Sequence, residues 1–165
     1  MDRWGRKHVV GVAATRKGSV ERRDRDAEMK ARESFQTYWP DPIFVAGLSL
    51  YWGGGDKVGR YQVRFTNTDP ELISFFIKFL NAYAPGYKER IWISLIQYAG
   101  TDREANEQFW QAKTMIPKEQ FQKTVTIKSK SVERQSPRGI CVVGVSSVSL
   151  KIKMMTWIAE CAKRM

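Results

Sequence analysis

The sequence has very few residues of the types that form crosslinks or hold soft metal ions. Its 165 residues include two cysteines, Cys141 and Cys161, and one histidine, His8. Two cysteines cannot build a disulfide framework, and with one histidine they make a zinc site of Cys and His ligands implausible. Cys141 lies in a strand-like run and Cys161 in a helix-like one, and we expect both thiols to pack as small buried hydrophobic side chains. We therefore expect an intracellular protein of a reducing compartment such as the cytoplasm.

Long apolar runs are also absent. No stretch approaches the roughly 20 apolar residues that cross a bilayer, and the N-terminus lacks the apolar core of a signal peptide. Hydrophobic residues still make up 42% of the chain, which is enough for a buried core in one domain of this length. The sequence therefore predicts a globular protein without a membrane partner.

Acidic residues are few relative to basic ones. The chain has 28 Lys and Arg residues against 17 Asp and Glu residues, which leaves a net charge of +11. An excess of this size makes a polyanion the expected partner. With no segment suited to a membrane, we expect that partner to be nucleic acid.

A short apolar segment followed by three glycines stands out in this composition. Residues 43–52 (IFVAGLSLYW) predict a helix that ends at Gly53-Gly54-Gly55. Three glycines exceed the one left-handed residue that a helix end requires, and they indicate that another group approaches the backbone closely. Small residues share one face of this helix: Ala46, Ser49 and Gly53. Bulky residues share the opposite face: Phe44, Leu48 and Tyr51. The pattern predicts a bulky face in the core and a small face against a second helix, although ordinary tight core packing explains the spacing too.

The segment VAGLSLYWGGG resembles the LAGLIDADG motif of homing endonucleases and related DNA-binding proteins, in the variant L-G-L-W-x-G-[DE]-G. Four residues match this motif: Leu48, Leu50, Gly53 and Gly55. Ser49 replaces a glycine, and Gly54 occupies the position of the acid. The resemblance extends over about residues 45–79. In the family, two motif helices pack side by side through small residues, and the acid at each helix end holds a divalent metal over the DNA.

This resemblance implies a LAGLIDADG-like α+β fold and a duplex DNA partner. Because the chain carries one motif, it also implies a homodimer whose interface contains Ala46, Ser49 and Gly53. The missing acid places nuclease activity in doubt, so we expect no cofactor if the protein is inactive and Mg²⁺ if it is a nuclease. Asp56 is the only carboxylate near the helix end, two residues past the acid position. It is the candidate catalytic and metal-binding residue of an active Mg²⁺-dependent endonuclease, although a plain surface turn is the favoured interpretation of Asp56-Lys57.

The rest of the chain predicts an α+β domain behind a basic N-terminal region. Residues 1–19 predict a basic arm and residues 20–38 a charged helix, and Pro40-Asp41-Pro42 separates this region (1–40) from the main domain (41–165). Asp69-Pro70 begins a further helix. Residues 121–129 and 139–146 predict a pair of hydrogen-bonded strands, and residues 148–162 a last helix. We expect Ile152, Met155, Ile158 and Ala159 on the buried side of that helix and Lys151 on its exposed side. Together these elements predict a mainly antiparallel sheet with helices packed on one face.

Polar residues on the predicted strands and basic residues in the loops are of the types that bind DNA. Arg and Gln read base edges, a two-stranded ribbon fits the major groove, and lysines and arginines bind phosphates. The candidate DNA-binding residues are Arg16, Lys17, Lys57, Arg60, Gln62, Arg64, Thr124, Thr126, Lys128, Lys130, Arg134 and Arg138. The solvent face of an ordinary antiparallel sheet carries the same residue types, and these residues do not separate DNA from RNA. Tyr61 and Trp92 are able to stack on bases, although core packing explains Trp92 equally well.

Overall fold

A computed structural model describes the backbone of residues 3–128 and 136–165, and the side chains of residues 17–128 and 136–165. The described part of the chain contains five α-helices: α1 (Arg3–Tyr38), α2 (Pro42–Gly54), α3 (Pro70–Tyr83), α4 (Arg103–Thr114) and α5 (Val148–Ala162). It contains four strands: β1 (Gln62–Asn67), β2 (Ile91–Tyr98), β3 (Val125–Ile127) and β4 (Ile140–Ser146). Short 3₁₀ helices span Pro85–Arg90 and Lys118–Gln120. The predicted α+β class is confirmed.

The strands form one mixed sheet in the order β1-β4-β2-β3. β4 pairs antiparallel with both β1 and β2, whereas β3 runs parallel to β2. The predicted pairing of 121–129 with 139–146 is therefore wrong. β4 is almost wholly apolar and suits an inner position, while β3 has three residues with exposed side chains and suits an edge.

The two faces of the sheet differ in what covers them. The core face is formed by Val63, Phe65, Ile91, Ile93, Leu95, Cys141, Val143 and Val145, all of which are buried. α2, α3 and α5 contact the sheet on this side. On the other side, which we call the outer face, the side chains are at least partly exposed except at Gly144. The outer face is formed by Gln62, Arg64, Thr66, Trp92, Ser94, Ile96, Tyr98, Val125, Ile127, Ile140, Val142, Gly144 and Ser146.

The N-terminal region is one continuous helix from residue 3 to residue 38, not an arm followed by a helix. The first proline of the chain is Pro40, and glycines inside a helix cost only about 1 kcal/mol each without ending it. α1 also belongs to the main core, since Ala31 and Phe35 are fully buried there. The Trp157 indole nitrogen on α5 donates to the Ala31 carbonyl at 3.0 Å, which fixes α1 against α5.

The buried side of α5 is rotated from the predicted one. Its buried residues are Leu150, Lys151, Met154, Trp157, Ile158 and Cys161. Of the four residues predicted to be buried, Ile158 is buried, whereas Ile152, Met155 and Ala159 lie at least partly exposed. The apolar residues of this helix form a broad band, so periodicity alone did not identify which edge of the band faces the sheet. No helix in the described residues is both long and apolar enough to cross a membrane.

α2 packs into the core through its bulky face, as predicted. Phe44, Leu48 and Tyr51 are fully buried. The closest approach is at Gly47, where an added Cβ would lie closer than 3.0 Å to the ring of Phe79 on α3. The backbone of α2 therefore approaches a neighbouring helix tightly, but at Gly47 and not at the small face.

We expect Gly47→Ala to lower the free energy of unfolding by about 1–3 kcal/mol, because the new methyl group overlaps the Phe79 ring. Urea denaturation followed by circular dichroism measures this change. Ser49→Ala, on the exposed side of the same helix, is the matched control and should change stability by less than about 0.5 kcal/mol. Equal stabilities of native protein and Gly47→Ala would contradict this packing.

Candidate nucleic-acid interface

The glycines at the end of α2 make room for aromatic rings. A Cβ on Gly54 would lie 3.0 Å from the Phe65 ring, and a Cβ on Gly55 would lie still closer to the Tyr51 ring. Gly55 has an extended backbone, with φ −81° and ψ 158°, so no left-handed residue ends this helix. Gly53 has open space around it. The close approach that the sequence predicted is thus made by side chains of the core at two of the three glycines.

Both carboxylate oxygens of Asp56 are engaged by its neighbours. Oδ2 accepts from Arg64 Nη2 at 2.6 Å and from Arg64 Nε at 3.1 Å. Oδ1 accepts from the amides of Val58 at 3.0 Å and Gly59 at 3.4 Å. The Arg64 hydrogen bond, followed by those of the loop amides, lowers the pKa of Asp56 to about 2. A metal ion at Asp56 would have to displace the guanidinium of Arg64.

Other metal ligands are not gathered around Asp56. Among the described side chains, those of residues 17–128 and 136–165, no three His, Cys, Asp or Glu are arranged to hold a metal ion. The arrangement at Asp56 is that of a surface turn whose carboxylate orients an arginine.

Two lysines hold the backbone at the end of α2. Lys57 Nζ donates to the carbonyls of Trp52 at 2.8 Å and Gly55 at 3.0 Å. Lys151, which is buried and not exposed as predicted, donates to the Asp56 carbonyl and to the Tyr51 hydroxyl. Burial lowers the pKa of Lys151 and raises that of Tyr51. Positive charge at a helix C-terminus is favourable because the last carbonyls point there. Nothing in the local sequence around Lys151 indicates this role, since its partners lie about 100 residues away.

The outer face brings three polar or aromatic candidates together at one end. Strand register aligns Arg64 on β1 and Trp92 on β2 on either side of Gly144 on β4. In the adjacent row, the Ser146 hydroxyl accepts from Trp92 Nε1 at 3.3 Å and from Gln62 Nε2 at 3.4 Å. The alternation of Gln62 and Arg64 with Val63 and Phe65 predicts that the two polar residues share one face of β1. The strand pairing places Trp92 on that same face of the sheet.

The candidates around β3 are not part of this surface. Thr124 is buried and its hydroxyl donates to Glu107 on α4 at 2.7 Å. Thr126 aligns with Gln97, which lies on the helix side of the sheet, and accepts from its amide at 3.5 Å. Lys128 is exposed just beyond β3.

The loop and N-terminal candidates are distributed around the molecule. Arg60 forms an ion pair of 2.6 Å with Asp24 of α1, and Lys17 is exposed on α1. The guanidinium of Arg138 lies 5.2 Å from the centre of the Phe109 ring. Arg16 lies in α1 with its side chain outside the described ones, and Lys130 and Arg134 lie outside the described residues.

The proposed small face of α2 is exposed to solvent. Ala46, Ser49 and Gly53 are all exposed, and Ile43 beside them is 52% exposed. α2 contains no charged residue. A helix that is apolar on all sides is normally buried all round, so this exposed side is suited to contact another protein surface.

Comparisons with protein-family models, curated proteins and solved structures found no match for this chain.

We expect Asp56→Asn to lower the free energy of unfolding by about 1 kcal/mol at neutral pH. The contribution is small because the Arg64 side chain is 47% exposed, which screens the pair. The pKa of Asp56 falls from its ordinary 3.8 to about 2 in the folded protein. Between pH 4 and pH 2 the unfolded chain therefore binds more protons at Asp56 than the folded protein does. The contribution of the Asp56 carboxylate to the free energy of unfolding is then full above about pH 4 and is lost as the pH falls through 2.

Urea unfolding of native protein and Asp56→Asn at pH 7, 4, 3 and 2 tests this. The difference between the two proteins should shrink at the acid end. Arg64→Gln should reproduce the loss, and the double variant should be no less stable than either single one if the two residues act only on each other. A difference that is independent of pH would show that the carboxylate charge is not involved.

Proposed function

We propose that this protein binds duplex DNA as a homodimer through the outer face of its sheet, with the LAGLIDADG-like helix α2 at the dimer interface and without cleaving the DNA. The observation that carries the proposal is the outer face, which the described residues leave at least partly exposed and which holds Gln62, Arg64 and Trp92 at one end. A net charge of +11 supplies the attraction for phosphates.

Arg64 is the residue best placed to read a base. Its bonds to Asp56 use Nε and Nη2, so the guanidinium is oriented while its remaining N–H groups stay available. A guanidinium that is already held in place loses less conformational entropy on binding than a free arginine side chain does. The usual target of such a guanidinium in the major groove is O6 and N7 of guanine. The Asp56 carboxylate thus serves to position Arg64.

The dimer proposal rests on the exposed side of α2. A symmetric dimer brings this face of one subunit against the same face of the other. Small side chains at Ala46, Ser49 and Gly53 would let the two helices approach closely, and Ile43 would be buried at the end of the contact. Both outer faces could then lie along one DNA duplex.

Absence of cleavage is proposed because the acid position of the motif is Gly54 and the nearest carboxylate, Asp56, is bonded to Arg64. A Mg²⁺-dependent endonuclease that uses Asp56 would need to break that ion pair in both subunits. RNA binding is the other outcome that the charge permits.

Arg64→Ala should reduce discrimination between DNA sequences by about 1–3 kcal/mol, the value of one bidentate contact with guanine. Fluorescence anisotropy over a set of duplexes of different sequence measures this discrimination. Asp56→Asn is the matched control: it keeps the guanidinium but frees it, so discrimination should fall less than in Arg64→Ala.

Lys17 and Lys128 are exposed but lie outside the outer face, so substitution of both with Gln should weaken all duplexes alike, through the general attraction of phosphates, and reduce the salt dependence of binding. Equal effects of Arg64→Ala and the lysine variants would mean that the outer face reads no sequence.

Plasmid DNA incubated with native protein and Mg²⁺ should remain uncut. Cleavage by native protein that is lost in Asp56→Asn would show that the protein is an endonuclease. Tighter binding to structured RNA than to duplex DNA would show that RNA is the partner.

Ser49→Phe should convert the dimer into a monomer, because a large ring on the small face holds the two helices apart. Sedimentation velocity at micromolar concentration measures this. Ser149→Phe, at an exposed serine of α5, is the control and should remain a dimer. Native protein that sediments as a monomer would remove the dimer from the proposal.

A further inference from the structure

Trp92 lies on the solvent side of the sheet and not in the core. Ile91 and Ile93, on either side of it along β2, are buried on the core face, while Trp92 is partly exposed on the outer face. Large aromatic residues are placed most favourably in the core, because they bury more apolar area than other side chains. Its position on the outer face therefore needs another explanation.

Gly144 lets the indole of Trp92 lie across the sheet. Gly144 is the cross-strand partner of Trp92, and a Cβ added to it would lie closer than 3.0 Å to three atoms of the six-membered ring. Side chains on a strand normally stand away from the sheet. Here the ring instead leans sideways over the neighbouring strand and occupies the place of the missing side chain. The exposed part of the ring consequently faces away from the sheet.

Polar neighbours hold the ring in this position. Its Nε1 donates to the Ser146 hydroxyl at 3.3 Å, and Arg90 donates to the Ser146 carbonyl at 2.5 Å. Arg64 lies on the other side of Gly144 in the same row. A fixed aromatic ring with arginines on the neighbouring positions of the sheet is a combination that proteins use to stack bases and bind the adjoining phosphates.

Beyond Trp92 the outer face is mainly aliphatic, with Ser94, Thr66 and Tyr98 as its polar members. Val142 and Ile96 continue it along β4 and β2, and Val125 and Ile127 end it on β3, with 49% and 37% of their surface exposed. The edges of paired bases, which a duplex presents in its grooves, are polar apart from the thymine methyl group. The faces of unpaired bases are apolar and match this surface better.

We propose that Trp92 stacks on an unpaired base, so that DNA containing a bulged or unpaired nucleotide is the preferred ligand of the outer face. This inference rests on the proposed binding of DNA by that face. Stacking on an aromatic side chain corresponds to about a 5- to 150-fold gain in affinity per base.

The test compares two labelled duplexes that differ only by one central bulged nucleotide, with 2-aminopurine as the bulged base. Native protein should prefer the bulged duplex by about 5- to 150-fold in fluorescence anisotropy and should quench the 2-aminopurine. Trp92→Leu should lose both the preference and the quenching while it binds the matched duplex as before. Trp92→Phe should retain most of the preference, because it keeps an aromatic ring.

Tyr61→Leu is the matched control, since Tyr61 is a strongly exposed aromatic residue just before β1 and not part of the outer face. It should keep the preference. Gly144→Ala should weaken the preference by moving the indole, and thermal unfolding identifies any variant that does not fold. If native protein binds both duplexes equally, or Trp92→Leu still prefers and quenches the bulge, the inference is wrong and the proposed function stands. If native protein binds neither duplex, both are wrong.

Discussion

The buried ammonium of Lys151 joins the parts of the molecule on which the outer face depends. From α5 it donates to the Tyr51 hydroxyl of α2 and to the backbone carbonyl of Asp56. A buried charge is tolerated only where it is hydrogen-bonded, so these partners must stay in place. The position of Asp56 is set in this way, and its carboxylate in turn fixes Arg64. A contact inside the helical layer thus orients an arginine on the opposite side of the sheet.

Three glycines in this structure make room for aromatic rings. Gly47 allows α2 to pack against the Phe79 ring, Gly55 makes room for Tyr51, and Gly144 makes room for Trp92. Only the last of these changes the solvent-exposed surface, because it lets an indole cover the backbone. Gly54, which the sequence resemblance aligns with the acid of the LAGLIDADG motif, lies near the Phe65 ring.

The two proposed interfaces lie on different sides of the molecule and differ in the interactions that would stabilise them. The exposed side of α2 is small and uncharged, which suits a protein surface that excludes water. The outer face combines cations, amide and hydroxyl groups at one end with apolar side chains at the other, which suits a charged chain with apolar bases. Asp56 and Arg64 lie close to both, since they follow directly from the end of α2 into β1.

Sequence by itself determined the local elements whose signals are contiguous. Alternation in β1, Asp69-Pro70 at the start of α3 and the bulky face of α2 all appear in the structure where they were predicted. The outer-face positions of Gln62 and Arg64 followed from the same alternation. Such features depend on residues one to four positions apart, and the period of a helix or strand fixes them.

Only the tertiary structure decided which strands pair and what each polar residue contacts. The insertion of β4 between β1 and β2, the burial of Lys151 and Thr124, and the placement of Trp92 over Gly144 all depend on partners more than 15 residues away. Residues 3–38 became one helix, with α5 as a packing partner for its second half. Local patterns cannot rank these alternatives, because a lysine or tryptophan has the same sequence signature whether it faces solvent or the core. The free energy of burying it depends on neighbours that only the folded chain supplies.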